Sequence, residues 1–200
     1  MLTDNKASAG SVKSHYFFQD IWAAKKIFKV NPLRHIDIGS RVDGFVSHCL
    51  IFRKMEVIDI RPIKSDVDNL IFIQDDATKL SQFKDNELES ISCLHAAEHF
   101  GLGRYGDQID PDAYIELIKN IQRILKPNGK CYFSVPVGKQ RVEFNAHRVF
   151  NAQYILSLFD QCDLKSSSFI DDQFNFTENI TVPDSNQFYY ECGCFEFVKL

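Results

Sequence analysis

No apolar run in these 200 residues approaches the ~20 that a membrane-spanning helix requires. The opening stretch MLTDNKASAGSVKSHYFF lacks a long apolar core, which speaks against a secretory signal. Positive charge is in short supply as well. With 23 Lys and Arg against 27 Asp and Glu the net charge is −4, so the chain has no general attraction for nucleic acid. Internal repeats, low-complexity tracts and composition breaks are missing, and nothing marks a second domain. The six cysteines are dispersed without a CxxC pair, and Cys192-Gly-Cys194 reads as part of a strand. Buried, reduced thiols in a cytoplasmic protein are therefore expected. What is present is ordinary: 44% hydrophobic and 25% charged residues suit one folded domain with a sizeable core rather than a disordered chain.

Periodicity supplies the elements. HYFFQDIWAAKKIFK repeats apolar residues at Phe17, Ile21, Ala24 and Phe28, a helical period ended by Asn31-Pro32. LRHIDIGS, KMEVIDI, NLIFIQ, LESISCL and KCYFSVP read as five strands, and GFVSHCLIF as a helix between the first two. Asp110-Pro111-Asp112 predicts a helix start with Asp110 as the cap, leading into AYIELIKNIQRILK. Asn151 caps a further helix, AQYILSLFD. LKSSSFI and YYECGCFEFVKL are two last strands without a helix between them. The expected fold is α/β: one Rossmann-like domain with a mostly parallel seven-stranded sheet, helices on both faces and an antiparallel edge strand.

In such sheets ligands bind at the carboxyl ends of the strands. Those ends carry Asp37 and Gly39, then Asp59, then Asp76 and Ala77, then His95. An acid ending a second strand can accept two hydrogen bonds from a ribose diol. An Asp-Ala pair ending a third can accept from an adenine amine and leave room for the ring. A glycine turn after the first lets backbone approach a ligand. The run Gly39-Ser40-Arg41-Val42-Asp43-Gly44 lacks the GxGxxG of nicotinamide dehydrogenases, which argues against that chemistry.

The order DIGS, VID, DDAT, SCLHAAEH and ILKPNGKCYFSVP, across residues 33–160, resembles the class I S-adenosylmethionine-dependent methyltransferases. HIDIGS, EHFGLGRYGDQIDP, LKPNGKCYFSVPVG and RVEFNAHRVF are more specifically similar to domain-of-unknown-function family 268, often placed beside polysaccharide synthesis. The resemblance implies S-adenosylmethionine as cofactor, held by Asp37, Gly39, Asp59, Asp76, Ala77 and His95. It also implies that residues 1–30 cap the cofactor site and that 31–200 form the core. His15, Gln19 and Asp20 on the first helix read as surface polar residues.

His95-x-x-Glu98-His99 could suggest an inverted zinc-hydrolase motif, but that needs helix on both sides. Here a strand precedes the motif and Gly101 and Gly103 follow it. In methyltransferases this stretch leaves the fourth strand beside the methyl group, where a Glu-His pair either packs the chain or acts. Some members hold a divalent ion with an acid at the position of His95, and the imidazole suits an oxygen-loving ion poorly. A metal stays an open alternative and no metal ligand is assigned.

Arg141, Asn145, His147 and Arg148 follow the fifth strand and suit a polar or anionic acceptor. His99 and His147 are the candidate bases, because neutral imidazole takes a hydroxyl proton near neutral pH; Glu98 would orient one of them. The expected activity is O-methylation of a sugar or sugar-linked group of a surface polysaccharide. The expected partner is a small-molecule or glycan acceptor, without nucleic acid or a membrane span, and a homodimer is allowed. The alternative is a cofactor-binding fold that has lost catalysis and serves as an assembly or regulatory subunit.

Overall fold

The structure is a computed structural model and describes residues 10–200, so the first nine residues of the expected N-terminal cap lie outside the described residues. One eight-stranded sheet runs in the order β3-β2-β1-β4-β5-β10-β8-β9. Its strands are β1 (Ile36–Ile38), β2 (Met55–Asp59), β3 (Leu70–Gln74), β4 (Leu88–Leu94), β5 (Leu125–Val137), β8 (Cys162–Ile170), β9 (Phe176–Thr177) and β10 (Glu191–Lys199). The first five are mutually parallel. The helices are α1 (His15–Val30), α2 (Ser47–Leu50), α3 (Ala113–Ile124) and α4 (Ala152–Leu158). None of the described helices is long and apolar enough to cross a membrane.

Side-chain alternation along the strands makes two cores. Ile91, Cys93, Cys131, Phe133, Phe195 and Phe197 join the α3 residues Leu117, Ile118 and Ile121 on one face. Leu94, Tyr132, Cys192 and Cys194 join Trp22, Ala23 and Ile27 of α1 on the other. This explains the placement of β10. It carries apolar side chains to both faces, so it sits inside the sheet, antiparallel to β5 and β8, rather than at the edge. β8 exposes its first half and lies further out, and the eighth strand, the two-residue β9, covers it as an antiparallel edge.

Two local expectations change. The buried face of α1 is His15, Gln19, Asp20, Trp22, Ala23, Ala24 and Ile27, whereas Phe17 and Phe28 are exposed. Two stripes compete on this helix, and the one carrying Trp22 goes inward. The cap of α3 is Asp112; Asp110 instead accepts from the Asp112 N–H at 3.0 Å in the preceding turn. The segment after β5 is a two-stranded ribbon, β6 (Arg141–Glu143) with β7 (His147–Val149). Asn151 caps α4 as expected, its Oδ1 accepting from the Tyr154 N–H.

Candidate active site

A cavity of about 410 Å³ opens at the carboxyl ends of β1 to β4. Gly39 floors it from the turn after β1, with φ +68°, and a β-carbon there would press on Ala96 at 3.0 Å. Asp59, Asp76, Ala77, His95 and His99 line it too, so five of the six residues expected to hold the cofactor share one cavity, joined by a candidate base.

Asp37 is the exception. It is fully buried and absent from the cavity wall. Its Oδ2 accepts from the Ser40 N–H at 3.0 Å, and its Oδ1 from the hydroxyls of Ser40 at 2.6 Å and Ser92 at 2.5 Å. Ser92 in turn neighbours His35 Nε2 at 3.0 Å, and His35 Nδ1 faces Ser90 at 2.7 Å. Asp37 therefore fastens the glycine turn to β4. Burial pushes its carboxyl up to about 6 and pushes His35 down to about 3.

Of the carboxylates lining the cavity, Asp59 and Asp76 differ in how they are engaged. Asp59 is already engaged by Arg61, whose Nη2 donates to Oδ2 at 2.7 Å, while its Nε and backbone N–H donate to Oδ1 at 3.0 and 2.8 Å. Asp76 accepts from the Thr78 N–H at 3.0 Å and hydroxyl at 2.7 Å through one oxygen only, leaving Oδ2 3.1 Å from Lys79. Burial would raise its pKa, but these hydrogen bonds and Lys79 outweigh that and hold it low. Turn capping and cavity lining coexist in Asp76.

The far wall is a set of imidazoles around one acid. His95 leaves β4 in the left-handed region, φ +48°, and its N–H donates to the Ser134 carbonyl at 2.9 Å. That backbone turn aims the ring at Tyr16, 5.3 Å away, and at His15, 6.3 Å away. Glu98 lies directly behind, 1% exposed, with Oε1 3.3 Å from His95 Nδ1 and 3.9 Å from His99 Nε2. Burial raises its carboxyl to about 8. Desolvation lowers His95 to about 3 and His99 to about 4, and it lowers His147 as well. His147 packs edge-on against His99, ring centroids 6.1 Å apart, and against Tyr190 at 5.4 Å.

Among the described residues, three buried polar atoms here have no partner: His95 Nε2, Glu98 Oε2 and His147 Nε2. Buried polar groups are normally satisfied, so this concentration points to a ligand. Among the described residues no group of three or more His, Cys, Asp or Glu is arranged to hold a metal ion.

The protein-family description "Caenorhabditis protein of unknown function, DUF268" matches residues 50–179. The chain belongs to this family. No curated protein matches the sequence. In fold, the DUF268 chain is similar to N-methyltransferase NodS from Bradyrhizobium japonicum WM9, solved with S-adenosyl-L-homocysteine. That match has TM-score 0.61 and 13% identity, covering 94% of this chain and 89% of NodS. The 1,6-didemethyltoxoflavin-N1-methyltransferase of Burkholderia thailandensis aligns with TM-score 0.60 and 15% identity, covering 94% and 84% of the two chains. The [4+2]-cyclase SpnF aligns with TM-score 0.65 and 11% identity, covering 96% and 84%. The architecture of this DUF268 protein is thus the class I methyltransferase fold.

The expected acceptor rim lies away from this cavity, with Arg141 and Arg148 on a second one beside it. Arg148 is 7% exposed and faces inward. Its Nη1 donates to the Phe100 carbonyl at 2.6 Å and its Nη2 to the Pro111 carbonyl at 3.1 Å, with Tyr114 under the guanidinium at 4.8 Å. It fastens both ends of the 100–111 loop. Arg141 pairs with Glu143 at 2.5 Å and donates to the Tyr189 carbonyl at 2.9 Å. Asn145, with φ +52°, makes the exposed turn of the β6–β7 ribbon. Only His147 of that block reaches the imidazole wall.

Tyr16, Arg41, Arg61 and Tyr105 also line the cavity and were not singled out from sequence. His15, Gln19 and Asp20 are buried rather than on the surface. Gln19 Oε1 accepts from the Ser134 hydroxyl at 2.6 Å, and its Nε2 donates to Asp20 Oδ1 at 3.1 Å. Their register with Trp22 and Ala23 on the inward helix face was the available signal.

Proposed function

We propose that this protein is a methyltransferase that moves a methyl group from S-adenosylmethionine to a hydroxyl acceptor. One observation carries the reading: a single cavity has Asp59 and Asp76–Ala77 on one wall and His95 and His99 on another, with unsatisfied buried atoms behind them. When bound, S-adenosylmethionine supplies an electrophilic methyl on a sulfonium. Asp59 would accept from the ribose hydroxyls and Asp76 from the adenine amine, and Ala77 would leave room for the ring. Gly39 lets backbone lie close to the ligand, and α1 covers the site through Tyr16.

On the acceptor side, the Nδ1–H of His99 donates to the Ala146 carbonyl at 3.0 Å, so Nε2 carries the free lone pair. That nitrogen takes the acceptor proton, with His147 beside it as the second base. Glu98 holds the imidazole positions from behind. The three unsatisfied polar atoms favour an acceptor with several hydroxyls over an apolar one. O-methylation of a sugar or sugar-linked group, in the cytoplasm before export to a surface polysaccharide, fits that demand and the setting its sequence resemblance suggests. A second reading, a binding fold without turnover, draws on the ion pair that already occupies Asp59. Labelled methyl transfer from S-adenosylmethionine to hydroxylated sugars distinguishes the two. Mass spectrometry of surface glycans from a deletion strain then tests the polysaccharide assignment, which an unchanged methylation pattern would overturn.

A further inference from the structure

Asp59 faces two claims on the same oxygens. Its side chain is 10% exposed and is clasped by Arg61 through three donors, two on Oδ1 and one on Oδ2. A planar guanidinium on a carboxylate in this fork geometry fills the lone pairs that a vicinal diol would use. Both residues line the cavity, so the ion pair sits inside the binding space rather than beside it. The other face of the Arg61 guanidinium lies 4.3 Å from the centre of the Tyr105 ring, and Tyr105 packs edge-on against His99 at 5.4 Å. The Arg61 side chain is 49% exposed, so it can leave without opening the core.

Resting on the proposed cofactor reading, we infer that Arg61 is an internal competitor of the cofactor's ribose: it occupies Asp59 in the free protein and is displaced when a diol binds. Displacement exchanges one charge-assisted partner for two neutral hydroxyl donors, and the released cation stays at the cavity mouth against Tyr105. The ion pair therefore lowers cofactor affinity, which is the opposite of what a supporting residue does. Partial exposure keeps the competition modest, in the range of an exposed ion pair.

The test is calorimetric titration of S-adenosylhomocysteine into the wild-type chain and into Arg61→Ala and Arg61→Gln, each at low and high sodium chloride. The inference expects both variants to bind about twofold to fivefold more tightly than wild type at low salt. It also expects added salt to tighten binding to wild type, by screening the ion pair, while leaving the variants nearly flat. Two substitutions guard against a folding defect in either one, with unchanged melting temperatures as the control. Equal or weaker binding by both folded variants overturns the competitor role while the cofactor reading stands. No binding to wild type or to either variant overturns the cofactor reading, and the competitor role with it.

Discussion

His99 Nδ1 lies 3.0 Å from the carbonyl oxygen of Ala146, in the turn that joins β6 to β7. A carbonyl only accepts, so the proton sits on Nδ1 and Nε2 carries the lone pair, 3.9 Å from the buried acid Glu98. The ribbon thus fixes the tautomer of the candidate base.

Replacing that base should separate chemistry from binding. His99→Gln is expected to cut turnover by about 100-fold or more, the ordinary contribution of a positioned base, with S-adenosylhomocysteine affinity unchanged. His147→Ala should behave in the same direction. Steady-state kinetics beside calorimetry measures this, and full turnover in both variants would remove the imidazoles from the reaction.

Glu98 gives a pH signature. Its carboxyl is raised from about 4.5 to about 8 in the folded chain. Between those values the folded state holds a proton that the unfolded state has released, so Glu98 makes stability fall as pH rises through the window. Glu98→Gln mimics the protonated form and should lose that decline. The stability of the variant relative to wild type is therefore expected to grow from about pH 4.5 and level off above about 8. Denaturant unfolding across that range checks it; parallel curves for the two proteins would contradict the burial of an unpaired acid.

Arg148 should act on stability. Its three carbonyl contacts, to Phe100, Pro111 and Glu98, clasp the 100–111 loop from behind the cavity. Losing charged donors to these carbonyls costs about 3 kcal/mol. Arg148→Ala should show this in the unfolding midpoint, and proteolysis should reach the 100–111 loop more readily. A variant of unchanged stability with only a raised acceptor KM would restore the substrate role first expected from its sequence position.

Much of this was legible in the chain because it depends on local pattern. An acid at the end of an apolar strand, as at Asp59 and Asp76, marks the cavity whatever surrounds it. The helices and the first five strands follow from periodicity and turn residues. What the chain did not show depends on tertiary partners. Arg148 and Arg141 look like ligand-seeking cations until the backbone carbonyls of distant loops arrive beside them. Asp37 has the right position and the wrong neighbours, since Ser40 and Ser92 take its oxygens. Gln19 and Asp20 look solvated until the Trp22 stripe of α1 turns inward and carries them with it. The interior position of β10 was readable from its apolar character on both faces.

The most direct test is the affinity of the chain for S-adenosylhomocysteine, measured by titration calorimetry with and without Asp59→Ala. Two hydrogen bonds to a carboxylate contribute on the order of 2–4 kcal/mol. The expected result is one micromolar site in the wild-type chain, weakened by at least about 30-fold in the variant, with the folded state intact. Absence of binding to the wild-type chain, or equal affinity in the two proteins, would contradict the assignment of this cavity to the cofactor.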